Sequence, residues 1–151
     1  MLNRVVVFTT DHVFEPQERK ELYVVWLKIN TLSSYWRNIF HVTIGGNEGS
    51  SGTRTPAVFI FEKESTNLVF RYDTSNSVND GYTGSPMYLD TAYKIDLVYD
   101  KDQLHYYVNG SLDFTYSYDG DFIAATSSST LYIPDSYYSL GGYEIMDFRI
   151  Y

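Results

Sequence analysis

No cysteine occurs anywhere in the 151 residues, and that absence removes disulfides, thiolate metal sites and cysteine nucleophiles together. The lack of disulfides fits a reducing compartment, and it also fits the many secreted β-sandwiches that do without them. Basic residues are scarce: 11 Lys and Arg stand against 19 Asp and Glu, for a formal net charge of -8. A surface of that sign repels phosphate backbones and anionic membranes, which excludes nucleic acid as the expected partner. The same acidity serves solubility. Long apolar runs are missing too. No segment approaches the roughly 18 apolar residues of a membrane-spanning helix. Met1-Leu2-Asn3-Arg4-Val5-Val6-Val7-Phe8 reads as a first strand rather than a signal peptide, so no membrane insertion is expected.

What the sequence has in abundance is aromatic: 16 Tyr, 9 Phe and 2 Trp, 18% of the chain. Such side chains favour pleated, half-buried surfaces over helices. Tyrosine also brings a rigid ring with a polar tip to recognition surfaces. With 44% hydrophobic and 20% charged residues, the composition is that of a globular protein, and the length predicts a single domain over residues 1–151.

β-Branched and aromatic runs recur every ten or so residues, separated by Gly, Asn, Asp and Ser, the pattern of a sandwich or barrel. The expected strands are Val5–Thr9, Glu21–Ile29, Asn38–Ile44, Ala57–Glu62, Asn67–Thr74, Tyr93–Tyr99, Leu104–Asn109, Ser111–Tyr118, Thr130–Ile133 and Tyr143–Tyr151. Asn109-Gly110 is a strong hairpin signal, because both residues tolerate the positive φ of a type I′ turn. With the polar turn Asp100-Lys101-Asp102-Gln103 before it, a three-stranded meander follows. Within it Leu104, Tyr106 and Val108 share one face, His105 and Tyr107 the other. Two segments, Gly45–Thr55 and Thr74–Leu89, are longer than hairpins need and read as functional loops. The only helical suggestion is Glu15–Leu22, where Pro16 could open a turn.

The path Tyr23-Val24-Val25-Trp26-Leu27-Lys28-Ile29, Trp36-Arg37-Asn38-Ile39-Phe40-His41-Val42, then Arg54-Thr55-Pro56-Ala57-Val58-Phe59-Ile60 resembles the laminin-G-like branch of the concanavalin A-like lectin/glucanase superfamily. The later Tyr107-Val108-Asn109-Gly110 hairpin and the closing Asp147-Phe148-Arg149-Ile150-Tyr151 agree with it, so the likeness spans about Glu21 to Tyr151. It implies an all-β jelly-roll sandwich of two antiparallel sheets, with glycan or protein recognition on loops or on the concave face. Similar domains occur in extracellular adhesive proteins and in proteins of large viruses and phages. Function is grafted onto such folds by loops.

Hydrolysis on this architecture needs two carboxylates, about 5–5.5 Å apart for retention or about 6.5–9.5 Å for inversion. Glucanases of this fold carry a Glu-x-Asp-x-x-Glu strand, and nothing here matches it. In Glu144-Ile145-Met146-Asp147 the carboxylates are three apart, which on a regular strand sends them to opposite faces. Glu62 and Glu64 sit where a strand runs into a turn. His12, His41 and His105 have no metal-site spacing. His41 is expected to be buried and hydrogen-bonded, sharing a face with Ile39 and Thr43. No Gly-x-Ser-x-Gly elbow is present, and Gly45-Gly46-Asn47-Glu48-Gly49 lacks the Lys and helix of a phosphate loop. Trp26 and Trp36 read as core anchors.

Calcium is the cofactor the resemblance allows, and Asp73–Tyr82 offers oxygen ligands, although the same residues are standard turn formers. Sugar recognition combines an aromatic face with amides, carboxylates or arginine. Tyr35, Arg54, Arg71, Asn76, Asn79, Asp80 and Tyr82 provide that mixture. Arg71, between Phe70 and Tyr72, faces away from whichever side buries them, either onto a recognition surface or into a cross-strand ion pair. The expectation is a non-catalytic carbohydrate-binding or adhesive module of an extracellular or virion-surface protein, partnered by a glycan or a surface protein. The alternative is a capsid or fibre component working through self-association or a larger assembly.

Overall fold

The computed structural model describes residues 4–6, 20–47, 50–134 and 137–151. In chain order the strands are β1 (Arg4–Val6), β2 (Lys20–Ile29), β3 (Arg37–Thr43), β4 (Ala57–Ile60), β5 (Leu68–Tyr72) and β6 (Asp80–Thr83). They continue with β7 (Ala92–Asp100), β8 (Gln103–Val108), β9 (Ser111–Ser117), β10 (Thr130–Ile133) and β11 (Tyr143–Ile150). All pairings are antiparallel. A six-stranded sheet runs β1-β10-β3-β4-β5-β6 and a five-stranded sheet runs β11-β2-β7-β8-β9. The result is the expected all-β jelly-roll sandwich, with no helix among the described residues.

Period-two alternation explains the main core. Tyr23, Val25, Leu27 and Ile29 of β2 and Ile95, Leu97 and Tyr99 of β7 turn inward to meet Phe40, Val58, Phe70 and Tyr72 from the other sheet. Rings bridge the sheets: Tyr23 stacks on Phe40 at 5.0 Å, Phe70 meets Tyr106 at 4.8 Å and Tyr72 meets Tyr99 at 5.1 Å. Each fully buried ring contributes about 1.5–3 kcal/mol by area removed from water.

The expected meander is present as β7-β8-β9. Lys101, Asn109 and Gly110 take positive φ values of 59°, 50° and 81° in its two turns. Four expectations differ. β6 was not expected, and it turns part of the Thr74–Leu89 loop into an edge strand paired with β5. Lys20–Leu22, at the end of the suggested helix, are strand residues of β2, and Glu15–Arg19 lie outside the described residues. So do residues 7–9 of the first expected strand and His12.

The other two differences come from β-bulges. In β3 the register shifts between Asn38 and Phe40, so Ile39 enters the core while His41 turns to the opposite face. Asn38 braces the bulge, its Nδ2 donating to the carbonyls of Phe40 (3.1 Å) and Val58 (3.3 Å). In β11 the shift lies between Ile145 and Asp147. Glu144 and Asp147 oppose Lys28 and Trp26, so both carboxylates face outward rather than to opposite sides.

The six-stranded sheet is apolar on its outer face as well. Ala57, Phe59 and Val69 are buried there beneath Trp36, Phe61 and Tyr138, a second, smaller core. β3 and β4 are consequently buried along their whole length.

Candidate functional site

That second core forms the floor of a basin of about 290 Å³ on the outer face of the six-stranded sheet. Phe59 and Arg71 rise from β4 and β5, Arg54 and Asn47 come from the segment between β3 and β4, and Asn79 lies just before β6. Trp36 and Tyr138 complete the described lining.

Local geometry dictates how the loop delivers Arg54. His41, fully buried, bonds through Nε2 to the carbonyl oxygen of Thr53, and the backbone amides of Thr53 and Arg54 donate to Oδ2 of buried Asp73 at 2.9 and 3.1 Å. Burial pushes the Asp73 carboxyl up from its ordinary range, against the opposing pull of those amides and of Arg54. Arg54 itself is 5% exposed. Its Nε donates to the Asn47 carbonyl (2.9 Å), Nη1 to Oδ1 of Asn79 and Nη2 to the Tyr138 hydroxyl (3.1 Å). The Tyr138 hydroxyl donates in turn to Oδ1 of Asn47 at 2.6 Å. The guanidinium carbon lies 5.2 Å from the centre of the Phe59 ring, within cation–π range.

Arg71 is placed differently. Its cross-strand partners are Ala57 and Gly81, the two smallest residues, neither of which can form the expected ion pair. Gly81 is needed here: a Cβ would fall 1.8 Å from the Phe70 carbonyl oxygen and 3.0 Å from Nη1 of Arg71. Burial, and then the charge of Arg54, push the Arg71 pKa down.

Of the residues expected to bind ligand, the fold brings Arg54, Arg71 and Asn79 together in the basin. Tyr35 stands beside Trp36 and is 67% exposed but does not line it. Asn76 donates to Oδ1 of Asp119 at 3.0 Å. Asp80 accepts from the Tyr116 hydroxyl (2.8 Å), from its neighbour Gly81 (2.7 Å) and from the Asp119 amide (2.7 Å). Tyr82 opposes Phe70 and leans on Phe114 (4.3 Å) and Tyr116 (5.4 Å) at the edge of the main core. The side-chain oxygens of Asn79 and Asp80 are thus used within the fold, and no group of three or more His, Asp or Glu arranged to hold a metal occurs among the described residues.

Trp36, Phe59, Asn47 and Tyr138 were not expected in a site. Trp36 is half-buried against Phe59 (6.1 Å) and Phe61 (5.0 Å) rather than a main-core anchor. Trp26 is likewise corrected. Tyr23, Val25 and Leu27 point in, so Trp26 points out, 39% exposed, into a depression of about 500 Å³ on the five-stranded sheet. The cations lining that depression are paired on their own strands, Lys94 with Asp96 and Arg149 with Asp147, each at 2.8 Å. Nearby Glu144 is bonded to Lys28 (2.8 Å) and Asn30 (2.7 Å), which holds its carboxyl below the usual range.

The chain's shape is similar to that of a galectin, LEC-6 of Caenorhabditis elegans, at 10% identity and TM-score 0.58, covering 100% of this chain and 91% of the galectin. It is also similar to a mutant of HCR/D (16% identity, TM-score 0.64, 87% of this chain). A third is botulinum neurotoxin type C, whose cell entry depends on interaction with two ganglioside molecules (17% identity, TM-score 0.54, 87% of this chain). The chain spans about a third of the length of these last two, 33% and 32%. At such identities the likeness shows the fold. No curated protein matches the chain in sequence. A laminin-G-type family model matches residues 21–151, and by that match, over the strands and hairpin described above, the chain belongs to the concanavalin A-like lectin/glucanases superfamily.

Proposed function

We propose that the protein is a non-catalytic carbohydrate-recognition module and that the basin over β4 and β5 is its binding site. One observation carries this reading: aromatic faces (Trp36, Phe59, Tyr138) and hydrogen-bonding side chains (Asn47, Asn79, the two arginines) converge on one concavity. Rings pack against the apolar faces of a pyranose, and amides and guanidinium groups bond its hydroxyls. The galectin likeness supports the same class of ligand, as does the ganglioside dependence of the toxin.

Catalysis is not favoured. The described lining holds no carboxylate pair to flank a glycosidic bond. The outward pair Glu144 and Asp147 is engaged by Lys28 and Arg149. Glu144, its carboxyl held below the usual range by Lys28 and Asn30, is not poised as a general acid. The setting that fits such a module is an extracellular or virion-surface protein.

A second reading, assembly through protein contacts, is favoured by the exposed Trp26, Met146, Ile150 and Tyr151 on or beside the outer face of the five-stranded sheet. A glycan-array screen, with calcium and with chelator, separates the two. Saturable binding that is lost on Trp36→Ala is expected, and loss in chelator would place a cation in the site. A blank array under both conditions, together with concentration-dependent self-association, would select assembly instead.

A further inference from the structure

We infer that the basin selects acidic saccharides, those carrying a carboxylate or a sulfate, and that Arg71 receives the negative group. This rests on the carbohydrate reading of the same basin and narrows it.

The two arginines of the basin are in unlike states. Arg54 is part of the wall, its nitrogens committed to Asn47, Asn79 and Tyr138 and its plane set near Phe59. Arg71 makes no hydrogen bond or ion pair with any described residue. Its strand neighbours Ala57 and Gly81 offer none. The nearest acidic influence, Asp80, has its oxygens taken by Tyr116, Gly81 and Asp119. A half-buried guanidinium with an open fork is therefore presented into a concavity whose described lining has two positive charges and no carboxylate.

Four other cations have a carboxylate partner. Lys20 pairs with Asp100, Lys28 with Glu144, Lys94 with Asp96 and Arg149 with Asp147. Arg71 has no such partner among the described residues, and it stands where ring faces gather. Its charge is unfavourable there, through burial and through Arg54, and an arriving anion relieves both. The planar fork matches a carboxylate or a sulfate edge through two parallel hydrogen bonds. Partial desolvation strengthens them. A neutral sugar offers the fork only uncharged hydroxyl acceptors, and a site built around a charged partner discriminates against the analogue that lacks it.

The chain as a whole carries -8, so it repels polyanions at long range. A preference for an acidic sugar must then arise at a local site and not from general attraction.

The test is titration of the full chain with matched pairs of oligosaccharides. These are an oligouronate and its methyl ester, a sialylated glycan and its asialo form, and a sulfated glycan and its desulfated form. The acidic member of at least one pair is expected to bind about tenfold tighter or more, as a charge-assisted bidentate contact implies. Arg71→Gln should shrink that preference to about threefold or less, because it weakens the acidic member more than the neutral one, and Arg71→Lys should recover part of it. Circular dichroism and melting confirm that both variants fold. Preference confined to the carboxylate pairs, or to the sulfate pair, supports the inference and identifies the group. Equal affinity within every pair overturns it and leaves carbohydrate binding standing. A preference that survives Arg71→Gln overturns the role of Arg71, and binding to no member of any pair overturns both readings.

Discussion

The guanidinium of Arg54 lies against the ring of Phe59, 5.2 Å from centre to carbon, and from there reaches three partners on three separate segments: Asn47, Asn79 and Tyr138. One side chain thus ties the β3–β4 segment, the approach to β6 and the residues after β10 to the outer face of the sheet. Arg54→Ala removes three part-buried hydrogen bonds together with the contact on Phe59 and should cost about 2 kcal/mol or more in urea unfolding. Arg54→Lys keeps the charge and loses the fork, so it should restore less than half. A loss below about 0.5 kcal/mol on Arg54→Ala would contradict this tie.

Tyr82→Ala is expected to act on stability and not on the basin. Its ring packs on Phe114 and Tyr116 at the rim of the main core, so truncation should lower stability by about 1–3 kcal/mol. Affinity for any basin ligand should change less than about twofold. A selective loss of binding with an unchanged melting temperature would return Tyr82 to the site.

Gly81→Ala should destabilise by about 1–3 kcal/mol or more, because the added carbon meets the Phe70 carbonyl and Nη1 of Arg71. Amide exchange should show β6 opening first. Gly110→Val is a different case. Its Cβ meets nothing within 4 Å, and the cost of about 1 kcal/mol comes from the 81° φ alone. Denaturant midpoints equal to the parent's would refute either assignment.

Alkali should unfold the domain. Burial raises the hydroxyl pKa of Tyr99, Tyr106 and Tyr118 above the ordinary tyrosine range. Tyr116, partly desolvated and donating to Asp80, is pushed up to about 12. The unfolded chain ionises near pH 10, so these groups contribute stability that is fully present below about pH 10 and lost as pH climbs towards their folded-state values. Tyrosinate absorbance should therefore rise in two phases, the exposed rings first and then a cooperative step that coincides with loss of circular dichroism. A single non-cooperative rise near pH 10 with the fold intact would exclude this.

Much of the architecture was legible in residue pattern. Ten of the strands follow the spacing of β-branched and aromatic runs, and Asn109-Gly110 marks its hairpin. β6 was not legible because Asp80-Gly81 reads as a turn and only Tyr82 and Thr83 favour a strand. Alternation misled at His41 and at Glu144 and Asp147, since a bulge inserts one residue and reverses every face beyond it. In the basin, Arg54, Arg71 and Asn79 stood out as sugar-recognition types. Phe59 did not, because Ala57-Val58-Phe59-Ile60 is apolar at every position and periodicity cannot say which face is which. Tyr138, 84 residues from Arg54, joins the site through tertiary packing alone, for which no local signal exists.

The rings that floor the basin are also the second core, and that gives the domain a built-in reporter. A molecule seated there binds only the folded chain, so occupancy is transmitted to the whole unfolding equilibrium. At a hundredfold excess over its dissociation constant, such a ligand adds about 2.7 kcal/mol. Heat itself can then be used to search for the natural ligand, with the rise in melting temperature as the sign of a hit.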